Sequence, residues 1–227
     1  SSILQMGKTR FDGKALLKAC VNGSSEFMSN VAMSIVGMLY NIQLLKYAGE
    51  NGVAAYGVMM YVSYIFSAAF IGYSIGVAPV IGYHDGAKNY DELKSLLRKS
   101  LTMIGLFGIG MVLSAELLAV PMAGLFVGYD AGLMELTVSG FRIFALSFVF
   151  MGFAIFASGF FTALNDGVTS AVISFLRTLI FQCGAVLLLP MILGIDGVWI
   201  SIVAAELIAV VISAVFVVAK RNKYHYA

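Results

Sequence analysis

Six stretches of this chain run for about eighteen residues or more with almost no charged side chain, and nothing limits its fold more strictly. They lie at about residues 24–46, 53–82, 97–119, 135–161, 168–193 and 197–219. About twenty residues at 1.5 Å each cover the ~30 Å hydrocarbon core of a bilayer, so each stretch is long enough to cross it. Inside lipid every backbone N–H and C=O must be paired within the protein, and a helix does this segment by segment. The composition agrees: 60% of the 227 residues are hydrophobic and only 11% are charged, against about 25% charged in soluble domains. The expected fold is an all-α integral membrane protein of six transmembrane helices, with the lipid bilayer as its solvent.

The connections are short. Asn51-Gly52, Asn165-Asp166-Gly167 and Asp196-Gly197 are turn signals, and the longest polar loop runs from Tyr83 to about Leu93. Pro79 and Pro190 mark expected local breaks near the ends of the second and fifth spans. The second span is longer than a bilayer needs and is expected to tilt. Basic residues cluster before the first span (Lys8, Arg10, Lys14, Lys18), after the second (Lys88, Lys94, Arg98, Lys99) and in the tail (Lys220, Arg221, Lys223). Six spans put all three clusters on one side, and the positive-inside rule makes that side, with both chain ends, cytoplasmic. The other side carries Lys46 with Glu50, Asp130, Glu135 and Asp196.

Charged groups inside the spans need a reason, since each costs at least ~2.5 kcal/mol at the bilayer centre. Glu116, near the outer end of the third span, is expected to snorkel. Arg142 lies in the outer half of the fourth with no evident partner. Arg177 and Glu206 enter from opposite faces, each about nine residues deep, so both reach ~14 Å, near the midplane. Adjacent antiparallel helices would let them pair, either to fix packing or to serve ion coupling or gating. Glu26, Asn30, Ser34, Gly37 and Asn41 recur at helical spacing and form a polar stripe along the first span. Such a stripe faces another helix or a water-filled cavity. Ser63, Ser67 and Ser74 form a weaker one, and Gly72-x-x-x-Gly76 reads as a packing face. The candidate cavity or coupling residues are therefore Glu26, Asn30, Ser34, Asn41, Arg142, Arg177 and Glu206.

Other classes fit poorly. Cys20 and Cys183 are placed badly for a disulfide, and no Cys/His cluster suggests a metal. His84 and His225 both fall outside the spans, as do all the aspartates, so the groups of an intramembrane protease are missing and no enzyme or cofactor is expected. A net charge of +2 gives no reason to expect nucleic acid.

The segment Gly76-Val77-Ala78-Pro79-Val80-Ile81-Gly82-Tyr83-His84-Asp85-Gly86-Ala87-Lys88-Asn89 resembles the end of a lobe's second helix in the multidrug and toxin extrusion (MATE) family. Asn22-Gly23-Ser24-Ser25-Glu26-Phe27 is similar to the start of that family's second lobe. Gly159 to Gly167 and Gly194 to Trp199 resemble the links before its eleventh and twelfth helices. The resemblance covers about residues 20–220 and implies the carboxy-terminal six-helix lobe of a two-lobe transporter. Residues 1–20 would then end a cytoplasmic inter-lobe linker, 21–220 form the lobe and 221–227 a cytoplasmic tail. A chain that begins Ser-Ser and enters its first span after a polar stretch fits one whose upstream part is missing, so the expected partner is an absent amino-terminal six-helix lobe.

The family further implies export of small amphipathic, often cationic compounds across a plasma membrane, bacterial by its branch, by alternating access coupled to H+ or Na+. The region Phe148-Val149-Phe150-Met151-Gly152 has no carboxylate where some members place one, which weakens the sodium reading. A lipid or lipid-linked oligosaccharide flippase of the same superfamily is the alternative.

Overall fold

The computed structural model describes residues 12–226, apart from the side chains of Ala15, Asn22, Ser25, Glu26, Met28 and Ser29. Residues 1–11 of the expected linker, and Lys8 and Arg10 within it, lie outside the described residues. The elements are α1 (Gly13–Gly86), α2 (Tyr90–Val127), α3 (Ala131–Ala145), α4 (Ser147–Ala163), α5 (Gly167–Phe175), a π-helical segment (Leu176–Gln182), α6 (Cys183–Leu193) and α7 (Ile195–Tyr224). No strand occurs among the described residues.

The apolar part of α1, Asn30–Gly86, has 57 residues. Straight, it would reach about 85 Å, nearly three hydrocarbon thicknesses. It folds back instead at Gly49, the one residue of α1 with non-helical torsions (φ 63°, ψ −154°). Only glycine enters that region without a Cβ clash. The Tyr40 and Tyr56 rings, one on each arm, stack at 5.1 Å with planes 3° apart. The hairpin tip is therefore Gly49, and the expected turn residues Asn51 and Gly52 are helical. Gly52 serves the turn differently: a Cβ there would lie 2.7 Å from that of Ala48.

Counting α1 as two arms, α2, α3 with α4, the continuous segment 167–193 and α7 gives six passes. The fourth is bent by 45° between α3 and α4. Neither glycine nor proline marks that bend; the Leu146 N–H bonds to the Ile143 carbonyl at 3.2 Å, one turn tightened to three residues. Pro79 and Pro190 break nothing and lie inside α1 and α6, as Pro121 lies inside α2. Neighbouring helices allow this in a membrane bundle. The long polar loop shrinks to residues 87–89, because α1 runs on to Gly86 and Asn89 caps α2 by accepting from the Glu92 N–H. The last turn falls at Gly194 (φ 61°), two residues before the expected Asp196-Gly197.

The core is aromatic. Phe148 takes the edges of Phe66 and Phe144 at 4.8 and 5.8 Å, and Trp199 and Phe161 are fully covered. Gly72 and Gly76, expected to be a packing face, meet nothing within 4 Å and lie on an open side of α1. Close approach is made elsewhere: a Cβ on Gly197 would sit 2.5 Å from the Leu189 carbonyl oxygen and 2.8 Å from the Pro190 Cα. Gly197→Ala is expected to lower the melting temperature in detergent, by about 1–3 kcal/mol of overpacking. Gly72→Ala and Gly76→Ala, with open space and a gain in helix propensity, should leave it unchanged or raise it slightly. Thermal unfolding of the three variants checks the contrast.

The turn between α4 and α5 anchors the chain's end. Asp166 accepts from the Thr169 N–H (3.2 Å) and the Tyr224 hydroxyl (2.8 Å), with Lys220 Nζ at 3.4 Å and Lys223 Nζ at 3.6 Å. Tyr226 tucks under α7, donating to the Val217 carbonyl at 2.8 Å, with its ring 5.2 Å from Phe160. Burial pushes the Asp166 carboxyl up, but the hydrogen bonds from Tyr224 and Thr169 and the Lys220 charge outweigh it and hold it at about 2, below its ordinary 3.8. A carboxylate depressed in the folded state adds stability above pH ~4 that is lost as pH falls toward 2. The stability gap between the wild type and Asp166→Asn is therefore expected to be full at pH 6 and to close between pH ~4 and 2, as read by melting temperature against pH.

Candidate functional site

Two of the midplane charges meet. Arg177 lies in the π-helical segment and Glu206 near the middle of α7. The Arg177 Nε donates to Glu206 Oε1 at 3.1 Å and to Oε2 at 2.9 Å, and its Nη2 donates to Oε1 at 2.9 Å. Gln182 Nε2 adds a fourth bond to Oε1 at 3.1 Å. The Glu206 side chain is 0% exposed and that of Arg177 18%. A buried carboxylate is tolerable only with such charge-assisted donors around it.

The π-helical segment explains why both donors reach one acceptor. Its hydrogen bonds run from i to i+5, which stacks residues five apart along one side. Arg177 and Gln182, the second and last residues of the segment, are five apart. In an α-helix the same pair would diverge around the axis, and one of them would leave Glu206. Gln182 was not among the expected site residues, because an α-helical register hides it.

The pair lines a cleft of about 590 Å³ bounded by both arms of α1, the π-helical segment and α7. Tyr40, Asn41, Tyr56, Tyr61, Tyr64, Ser63, Ser67, Met33, Met60 and Met151 share its walls. Tyr61 and Tyr64 are more than half exposed, at 65% and 51%. Buried hydrogen bonds brace the wall from behind: the Tyr40 and Ser201 hydroxyls are 2.7 Å apart, and Gln43 Nε2 donates to the Val186 carbonyl at 3.1 Å. They tie the first arm of α1 to α7 and α6.

The other expected residues separate. Asn30, Ser34 and Asn41 all lie on an exposed face of α1, and Ser34 and Asn41 bond to carbonyls one turn back, those of Asn30 and Gly37. Their stripe faces the outside of the bundle, and Asn41 borders the cleft. The Glu26 side chain lies outside the described residues. Arg142, read as partnerless, pairs with Glu116 at 3.4 Å, both side chains being exposed (54% and 42%), so this pair bridges α3 and α2 on the outer face, away from the cleft. Ser67 donates to the Met151 sulfur at 3.1 Å, while the buried Ser74 hydroxyl has no partner among the described residues.

The chain folds as a six-pass helical bundle with a largely apolar cleft that holds one ion pair. A family model, MatE, matches residues 27–188, and the chain belongs to that family, the MATE transporters. Solved structures share the fold: a MATE transporter crystallised with MaL6 (TM-score 0.88, 22% identity) covers 96% of this chain, which spans 49% of it. An outward-facing multidrug resistance MATE transporter of the MOP superfamily (0.87, 22%) covers all of this chain, which spans 50% of it. A MOP superfamily transporter from Pyrococcus furiosus, described as having a binding pocket of reverse polarity, gives 0.86 at 22% identity over 95% of this chain and 49% of its own. The chain thus spans about half the length of the structures it matches. No curated protein matches it.

Breaking the midplane pair should hurt more than removing it. Arg177→Leu and Glu206→Leu are each expected to cost about 3–5 kcal/mol, and the double variant to recover part of that loss. Thermal unfolding of the three in detergent reads the difference; losses that simply add would contradict the pair.

Proposed function

We propose that this chain is the carboxy-terminal half of a secondary active efflux transporter. It exports small amphipathic, often cationic compounds by alternating access against an amino-terminal lobe, coupled to inward movement of H+ or Na+. The observation that carries the reading is the cleft itself: a concavity of about 590 Å³ whose walls mix tyrosine and methionine faces with few polar groups and one ion pair. Such a surface suits variable apolar bodies, since methionine adapts its shape and tyrosine faces attract cations. In a bilayer the cleft becomes a cavity only when a second lobe closes its open side, which fits a substrate path near the midplane between repeats.

The setting proposed is a bacterial plasma membrane with both ends of the chain cytoplasmic. Single cysteines replacing Glu50 and Ala87, in a background without Cys20 and Cys183, should react with an impermeant thiol reagent from outside and inside respectively.

The function is tested by dye efflux. Cells making this chain alone should retain ethidium like controls, and co-production with the amino-terminal lobe should restore efflux that collapses with the ion gradient. Gradient-driven efflux by the 227-residue chain alone, or none with both lobes present at the membrane, would overturn the proposal.

A further inference from the structure

A second concavity, of about 740 Å³, opens between α2 and the end of the chain, at the opposite end of the bundle from the hairpin tip. Asp91, Lys94, Arg98 and Leu101 line it and recur every three or four residues, so they share one face of α2. Tyr226 closes the other side. Its ring is buried, its hydroxyl is spent on the Val217 carbonyl, and the His225 ring beside it lies 4.9 Å from that of Tyr90 at the start of α2. The docked tail therefore holds the groove in shape. Lys94 and Arg98 are exposed, and among the described residues no carboxylate pairs with either, whereas Lys220 and Lys223 of the tail both lie against Asp166. Depth says what the two free bases meet. From Ser100 to Ala115 α2 carries no charged residue, so the hydrocarbon begins near Leu101. At 1.5 Å per residue Arg98 lies about 4 Å and Lys94 about 10 Å outside that point, and the headgroup layer is about 5–7 Å deep. The two side chains bracket the level of the lipid phosphates.

We propose that this groove binds an anionic glycerophospholipid, with the phosphodiester between Lys94 and Arg98 and the start of an acyl chain against Leu101. Arg98 offers a planar fork for two phosphate oxygens, and Lys94 a point charge one turn farther out. Lys94, Arg98 and Asp91 leave the groove with one net positive charge. That matches the single negative charge of a phosphatidylglycerol headgroup and gives a zwitterionic choline lipid no net attraction. Asp91, at the outer end, opposes the anion and limits its affinity. That the lipid belongs to the cytoplasmic leaflet rests on the orientation proposed above; binding itself does not, so either can fail alone.

The test titrates the complete two-lobe transporter in detergent with dioleoyl phosphatidylglycerol or dioleoyl phosphatidylcholine and counts lipid adducts by native mass spectrometry. A phosphatidylglycerol with a photoreactive diazirine on its acyl chain locates the site. Wild type should hold one phosphatidylglycerol at least about fivefold more tightly than phosphatidylcholine, with the crosslink on α2 between Leu97 and Leu106. Lys94→Gln/Arg98→Gln should weaken that lipid about twenty-five-fold, about fivefold for each basic side chain lost. Asp91→Asn should tighten it about fivefold, a gain that damage to the fold cannot produce. Lys88→Gln/Arg221→Gln, which removes two exposed charges from the same end of the bundle but outside the groove, should stay within about twofold of wild type. A large excess of glycerol 3-phosphate should leave the lipid in place. Displacement by glycerol 3-phosphate would assign the groove to a soluble phosphate, and equal losses in the two double variants would reduce the effect to diffuse surface charge. Either result, or a crosslink away from α2, would overturn the proposal.

Discussion

Glu206 is a carboxylate without exposed surface in the middle of an apolar helix, and the interior of the lobe is arranged around that fact. An ion so placed must be matched by donors that stay with it. The chain supplies three donor atoms from one short segment, Arg177 Nε and Nη2 and Gln182 Nε2, and it gives up α-helical register over seven residues to aim them. The cost in helix geometry is local. The gain is a rigid junction between the fifth and sixth passes on the wall of the cleft.

The rest of the wall follows from that junction. With α7 locked to the π-helical segment, Ser201 on α7 meets the Tyr40 hydroxyl, and Tyr40 stacks on Tyr56 across the α1 hairpin. One chain of contacts thus runs from the buried ion pair through α7 to both arms of α1. A second polar seam, Ser158 and Thr162 on α4 against Ser170 and Ser174 on α5, clamps the next hairpin with hydroxyl contacts of 2.7–2.9 Å. Both seams leave the outer face of the Asn30–Asn41 stripe uncovered.

Much of this was legible in the chain. Apolar run lengths predict six crossings, and counting residues inward from each end puts Arg177 and Glu206 at one depth, where they are found paired. The misses have physical causes. Arg142 and Glu116 sit on different helices on either side of the α2–α3 turn, and sequence carries no helix azimuth to say that they face each other. Gly49 loses to Asn51-Gly52 on turn statistics, yet only Gly49 has the positive φ the hairpin needs. The bend at Leu146 has no proline or glycine to announce it, and Gln182 becomes a site residue only in π register. The serine seam could have been found: Ser158/Thr162 and Ser170/Ser174 each repeat at four residues on either side of a turn.

The account depends on the open face of this lobe being water-lined in the assembled transporter, rather than a seam sealed by helices or lipid. Thiol accessibility in membranes measures this directly. In the two-lobe protein lacking Cys20 and Cys183, single cysteines would replace Asn41 and Tyr64 on the cleft and Leu106 on the outward face of α2. A small hydrophilic thiol reagent with access to both sides of the membrane should modify the first two rapidly, more slowly when an exported compound is present, and should leave the third nearly untouched. Equal and slow modification of all three would contradict the account, because it would put the cleft in the same apolar surroundings as the lipid-facing surface.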